Sequence, residues 1–394
     1  MRLGHNWMTG FIATLVYLVV LASCAAPAQP SPTPTKSPAA QPTRPAEKEA
    51  AKALGTPAEK PAEKTGSKAP VKAAMPGPLS PAVKVRVGDL ATTSDAPTYV
   101  ALEKGFFKEQ GIDLELTSFD QSAQVIPALS SGQLEVAGAG ITVALYNAVA
   151  RGIGVRAVAD RARNSSGHEF NTLAVRKDLA DRVKDFKDLK GLKVALVSKN
   201  GPGYVQIAKA VAKGGLSLAD IDIVTMPFPD MMSAFANKAI DAAIASEPLA
   251  TQGAERGLFV NWKTVHPDFY PNHQVGVLMY GPQFIERQPE AAKRFMVAYI
   301  KGIRAYLDGF DKNVGLDEII KILTAYTPLK DASVYRKVRG PGFDRNGYIF
   351  TQHLIDDQDF FVSQGIMKPE ERADMKKLID DSYVEYALSI LGKE

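Results

Sequence analysis

Four short stretches of this 394-residue chain carry side chains that could grip a small molecule, and none carries a set suited to breaking one. Thr92-Thr93-Ser94-Asp95 offers three hydroxyls and a carboxylate at a helix start, where free backbone N–H groups attract an anionic or polar group. The same side chains could instead serve only as N-caps. Gly138-Ala139-Gly140-Ile141-Thr142 lets backbone N–H groups approach a ligand, with Thr142 as cap or donor; close helix–sheet packing would use the same glycines. Asn200-Gly201-Pro202-Gly203-Tyr204 opens a loop with small residues, starts a helix at Pro202 and adds a ring and a hydroxyl at Tyr204. No Gly-Lys-Ser/Thr follows it, so it is no nucleotide phosphate loop. Ser246-Glu247-Pro248 aims a carboxylate either at an amine, amidine or hydroxyl of a ligand or at the dipole of its own helix. His168, Glu169, Asn272 and His273 fall on the hinge side of such a pocket, with satisfaction inside the core as the competing use of a lone histidine. The expected ligand contacts at the second and third stretches are Gly140, Thr142, Asn200, Gly201 and Tyr204, and His273 joins them from the hinge side.

Catalysis finds little to work with. The five histidines include His168, His266, His273 and His353 beyond the leader, with no HxH or HExxH spacing. The single cysteine, Cys24, stands elsewhere. It ends an apolar run, FIATLVYLVVLAS at 11–23, that is too short for a bilayer span and suits a signal-peptide core. Leu21-Ala22-Ser23-Cys24 resembles a bacterial lipobox: a branched apolar residue, two small ones, then a thiol able to carry a diacylglyceryl group. The other reading is an ordinary secretory signal that happens to contain a cysteine. Residues 1–23 are thus expected as a lipoprotein signal peptide and Cys24 as the lipidation site. Lipidation there excludes disulfides, thiolate metal sites and cysteine nucleophiles in the mature chain.

Residues 25–82 hold 13 of the 26 prolines, three copies of PAEK and no aromatic residue. Such a segment buries too little apolar surface to offset its ordering entropy. Residues 24–82 are expected as a disordered tether, spanning roughly 40 Å as a coil. Residues 1–82 carry nine of the 47 basic side chains and four of the 43 acidic ones, leaving 38 and 39 for the rest. That near-neutral body argues against a nucleic-acid partner.

The elements that must position the four stretches alternate strand and helix. VKVRVGDL and IDLELTSF read as strands, with a helix between them that Ser94 or Asp95 caps and Gly111 stops. LEVAGAG, VRAVAD, LKVALVSK, IDIVTMPF, IDAAIAS and LFVNW follow as strands among helices, and the chain is helical after 289. Phe295, Val297, Ile300, Ile303 and Leu307 read as core, and Tyr383 and Tyr386 as a docking face of the last helix. The pattern predicts an α/β protein with mostly parallel sheets, and its length predicts two lobes. ALSSGQLEVA at 128–137 aligns without gaps onto AFANKAIDAA at 234–243. Two related lobes with facing strand ends would form a closable jaw.

YVALEKGFFKEQGIDLEL, ALSSGQLEVAGAG, DFKDLKGLKVALVS and IDAAIASEPLA resemble the substrate-binding proteins of ABC importers. The branch is the nitrate/sulfonate/taurine type, which includes binders of thiamine pyrimidine precursors. The resemblance runs over roughly 84–310. Two departures stand out: Glu135 replaces the usual Asp of the first turn, and Lys238 replaces the usual Gly of the second, with Asn237 as candidate for the left-handed position. The resemblance implies a periplasmic binding protein type II fold with a cleft between lobes and a helical C-terminal part. Lobe one would be 84–171 plus 276–394, lobe two 174–272, and FNTLAVR and HQVGVLMY the crossovers. It implies an extracytoplasmic, lipid-anchored, monomeric lipoprotein that closes on a small organic or anionic solute and serves ABC permease subunits. No cofactor and no metal are expected. An enzyme of pyrimidine metabolism on this fold and a ligand-sensing subunit of a receptor are the alternatives.

Overall fold

The computed structural model describes residues 77–338 and 340–394. Cys24, the expected signal peptide and most of the expected tether lie outside the described residues. Residues 77–82, expected as the tether's end, are docked. Leu79 N–H donates to Gln110 O (3.2 Å), and Arg294 donates to Gly77 O. Gly111, at a left-handed φ of 71°, leaves the room that Leu79's backbone occupies.

The strands are β1 (Val83–Asp89), β2 (Ile112–Ser118), β3 (Val136–Gly140), β4 (Arg156–Arg163), β5 (Asn171–Arg176), β6 (Lys193–Leu196), β7 (Asp222–Thr225), β8 (Ala242–Ser246), β9 (Phe259–Thr264) and β10 (Gln274–Tyr280). They form two sheets, ordered β2-β1-β3-β10-β4 and β7-β6-β8-β5-β9. The orders are the same once β1, β2, β3, β4 and β10 are matched to β6, β7, β8, β9 and β5. Each sheet has one antiparallel strand, β10 in the first and β5 in the second. These two are the segments expected as crossovers. The chain changes sheets just before each of them, at 164–170 and 265–273.

The helices between the strands are α1 (Ala96–Glu103), α2 (Phe106–Glu109), α3 (Ser122–Ser131), α4 (Val143–Ala150), α5 (Pro202–Lys213), α6 (Phe228–Ala236) and α7 (Leu249–Glu255). Beyond β10 come α8 (Pro282–Arg287), α9 (Pro289–Lys312), α10 (Leu316–Tyr326), α11 (Ala332–Lys337), α12 (Thr351–Ser363), α13 (Met375–Leu378) and α14 (Ser382–Leu391). VAGAG in β3 and AAIAS in β8 are almost wholly buried. Helices cover both faces of such central strands, which favours small apolar side chains. The five core positions expected on α9 are buried, and Tyr383 packs edge-on to Tyr280 (4.9 Å).

The repeated acids do the same work in both sheets. Glu135 Oε2 accepts the N–H of Arg86 (2.8 Å), and Asp241 Oδ2 accepts the N–H of Lys193 (2.9 Å). Their own N–H groups donate to the carbonyls of those same residues (3.1 and 2.8 Å). Each acid clips its strand onto the leading strand of its sheet, so Glu and Asp both suffice. The turn before them corrects the expectation for Asn237. Lys238 itself takes the left-handed conformation (φ 57°), as Gly132 does in the first copy (φ 75°), while Asn237 stays at φ −86°.

Candidate ligand-binding site

At the first stretch, Thr93–Asp95 forms a single 3₁₀ turn ahead of α1. Thr92 is exposed, whereas Thr93, Ser94 and Asp95 are buried. Asp95 occupies the N-cap position of α1 without bonding it. Its carboxylate turns back instead, accepting from Leu90 N–H, Thr92 N–H and Thr92 Oγ1 (3.2, 3.2 and 3.1 Å). It also meets Arg161 on β4, 2.8 Å from Nε and 2.7 Å from a terminal nitrogen. Burial pushes the Asp95 carboxyl up, and Arg161 pulls it back only in part. Arg161 lies over glycines. A Cβ on Gly138 would stand 2.6 Å from its Nε, and one on Gly276 3.2 Å from Nη1. Only glycine leaves that seat open.

The second and third stretches touch each other. Val143 N–H, at the start of α4, donates to Asn200 O across the two sheets (3.0 Å). A Cβ on Gly201 would lie 3.7 Å from Thr142 Cγ2, and one on Gly140 3.9 Å from Pro202 Cδ. Gly140 N–H donates to Ser122 Oγ (3.0 Å). Thr142 is buried and Asn200 exposed. Tyr204 is half-buried, its ring 5.5 Å from Phe360 on α12, and burial raises its phenol.

At the fourth stretch, both Glu247 oxygens are taken by Thr251 in α7, through its N–H and its hydroxyl (3.0 Å each). Glu247 therefore caps its own helix. Burial raises its carboxyl, although those two bonds oppose the rise. Ser246 Oγ accepts from Asn171 Nδ2 (2.5 Å), and Asn171 Oδ1 accepts from Asn164 Nδ2 (3.0 Å). This amide pair ties both ends of the connection 164–170 to β8.

His273 is fully buried, with Nδ1 3.1 Å from Gln206 Nε2 of α5 and Nε2 3.0 Å from Asp357 of α12. His168 is likewise buried, between Gly340 O (3.1 Å) and Asp311 (2.9 Å). Both are satisfied internally. Thr92, Gly140, Asn200, Tyr204 and Glu247 retain solvent access, while Thr93, Ser94, Asp95, Thr142, Gly201 and His273 do not.

Sequence reasoning missed Arg161 and Asp357. Arg161 was legible only as a charge inside the apolar run of β4, and Asp357 as an acid on a helical stretch. Among the described residues no group of three or more His, Cys, Asp or Glu is arranged to hold a metal, and no helix is long and apolar enough to cross a membrane. A cavity of about 280 Å³ lies at the opposite end of the first sheet, between Arg86, Glu135, Gln283 and Arg287. None of its lining residues belongs to the four stretches.

Two sheets of one strand order, linked by paired connections and meeting at their carboxyl-end loops, define a periplasmic-binding-protein-like fold. Solved structures agree. The nitrate-binding protein NrtA of Synechocystis PCC 6803 superposes with a TM-score of 0.65 at 16% identity, over 79% of this chain and 89% of that one. The alkanesulfonate-binding protein SsuA of Xanthomonas axonopodis pv. citri, bound to MOPS, gives 0.60 at 17%, over 77% and 100%. The profile of the family described as NMT1/THI5 like matches residues 92–309, more than half of the chain. The chain belongs to the NMT1/THI5-like family. A binding protein of Brucella abortus is 28% identical over 221 residues, 56% of this chain and 65% of that protein. The chain thus spans just under two thirds of that relative's length. The taurine-binding periplasmic protein of Escherichia coli is 25% identical over 289 residues, covering 69% and 85%.

Proposed function

We propose that this protein is an extracytoplasmic solute-binding protein that closes on a small organic or anionic solute, releases it unchanged and serves an ABC permease. The lobes are 84–171 with 276–394, and 174–272. The observation that carries the reading is the Val143–Asn200 bond, which joins the carboxyl-end loops of two sheets of matching order. Binding in such a molecule is a shift of population between open and closed forms. The taurine-, nitrate- and alkanesulfonate-binding relatives support the role.

Charge at the site favours an organic solute with several hydrogen-bonding groups over a bare anion. Arg161 is already neutralised by Asp95, and Glu247 is held by Thr251. Thr92, Gly140, Asn200, Tyr204 and Glu247 would meet the solute first, and Arg161 would lie beneath. Cys24 would carry the lipid that holds the monomer at the membrane.

A thermal-shift screen of the full-length protein against nitrate, taurine, alkanesulfonates, pyrimidines, amines and aromatic acids tests the reading. A solute at a hundred times its Kd is expected to stabilise by about 2.7 kcal/mol and to be recovered intact. Chemical conversion of the solute would overturn it. An unmodified Cys24 in the intact mass of the membrane-extracted protein would overturn the anchor.

A further inference from the structure

We propose that α12 braces the two lobes and holds them closed without solute, with Asp357 as the positioning residue. The proposal rests on the two-lobe reading above.

α12 is bonded to three separate parts of the molecule. On the side of the first sheet, Tyr146 of α4 donates its hydroxyl to Leu354 O (2.9 Å), and Phe350 N–H at the helix start donates to Gln274 Oε1 of β10 (3.1 Å). On the side of the second sheet, the Phe360 ring lies 5.5 Å from Tyr204 of α5. Between them, both oxygens of buried Asp357 are taken by the connection 265–273. Oδ1 accepts from the Tyr270 hydroxyl (2.9 Å), and Oδ2 lies 3.0 Å from His273 Nε2. The two rings stack at 4.1 Å. One apolar cluster runs from Tyr146 through Leu354 and Phe361 of α12 to Val205 and Ile207 of α5.

The direction of these bonds follows from their donors. Gln206 Nε2 can only donate, so His273 Nδ1 accepts and His273 Nε2 carries the hydrogen that Asp357 receives. The chain Gln206–His273–Asp357 therefore runs from the second lobe, through the hinge, to a helix fixed on the first, and Tyr270 ties that helix back to the hinge. Hinges that move freely are segments able to absorb large backbone changes. This one is pinned by a buried carboxylate whose loss leaves two donors unpaired. Tyr146 and Tyr204 each lie within about a turn of the Val143–Asn200 bond, so α12 spans the lobes beside that contact, and parting the lobes there pulls Phe360 from Tyr204 or breaks the chain at His273. Interior contacts thus favour the closed form before any solute arrives.

The reporter is the amide of Val143, whose acceptor sits on the opposite lobe, so that its protection is lost when the lobes part. Its hydrogen exchange is followed by NMR in the solute-free full-length protein, in Asp357→Asn and in Phe360→Ala. Asn keeps an acceptor for Tyr270 but points an amide at the His273 N–H. Exchange at Val143 is expected to rise on the order of ten-fold or more in both variants, with amides of β1 and β8 unchanged. Phe360→Ala carries the test should Asp357→Asn fail to fold. An unchanged Val143 rate, or a rise shared equally by β1 and β8, overturns the brace. A protein that binds solute in the screen yet shows no Val143 response overturns the brace alone. A protein that binds nothing yet shows the Val143-specific rise supports the brace and overturns the solute-binding reading.

Discussion

Replacing Gly138 by alanine places a methyl group against the buried Arg161–Asp95 pair. The new Cβ would stand 2.6 Å from Arg161 Nε, 2.8 Å from its Cδ and 3.0 Å from Asp95 Oδ1. Carbon contacts settle near 3.5–4.0 Å, so the guanidinium must move by about 1 Å. It cannot do so without stretching real contacts, because Asp95 and Thr92 hold Nε and one terminal nitrogen. A shift of that size carries the 2.8 Å Nε–Oδ1 bond beyond hydrogen-bonding range. Losing one partner of a buried pair costs about 3–5 kcal/mol. Here both partners remain and can partly re-pair, so Gly138→Ala is expected to cost about 2–3 kcal/mol. Urea unfolding of Gly138→Ala, Arg161→Ala and the double variant measures it. With the guanidinium gone only the 3.0 Å contact to Asp95 Oδ1 remains, and the released carboxylate can give way, so the added cost in the Arg161→Ala background is expected below about 1 kcal/mol. A Gly138→Ala protein as stable as wild type, or an equal cost in both backgrounds, refutes the seat.

Asp160 is fully buried, and burial pushes its carboxyl up to about 6. The folded form therefore takes up this proton before the unfolded one, whose aspartates titrate near 3.9. Its favourable contribution is complete below about pH 4 and is lost as pH rises through 6. Unfolding free energies of wild type and Asp160→Asn should diverge by up to about 3 kcal/mol between pH 4 and 7; a pH-independent difference speaks against it. Lys238→Gly relieves a left-handed backbone held by a β-carbon and is expected to stabilise by about 0.5–1 kcal/mol, despite losing the exposed contact to Asp178. Urea midpoints at or below wild type would count against the strain. Glu135→Gln and Asp241→Asn each weaken the clip onto a leading strand, and each is expected to cost about 1–2 kcal/mol. If one proves silent by the same assay, the two acids are not equivalent.

Much of the architecture is legible in the chain itself. Alternating strands and helices, a near-neutral body and the gapless repeat of 128–137 on 234–243 led to two related sheets, since periodicity and small buried strands are local properties of the chain. The stretch types were legible too, because helix starts advertise themselves through hydroxyls, acids and Pro. The left-handed residue was not, since a turn's conformation depends on the strand clipped behind it, and Lys238 pays that strain where glycine was expected.

Which residues carry polar groups at strand ends is a local matter of composition and spacing, and is legible in the chain alone. Which of those groups are already spent depends on long-range packing. Asp95 is taken by Arg161, 66 positions away, Glu247 by Thr251, and His273 by Gln206 and Asp357. A buried polar group must find a partner wherever the fold supplies one, and partners that come from distant strands and helices leave no local trace in the chain.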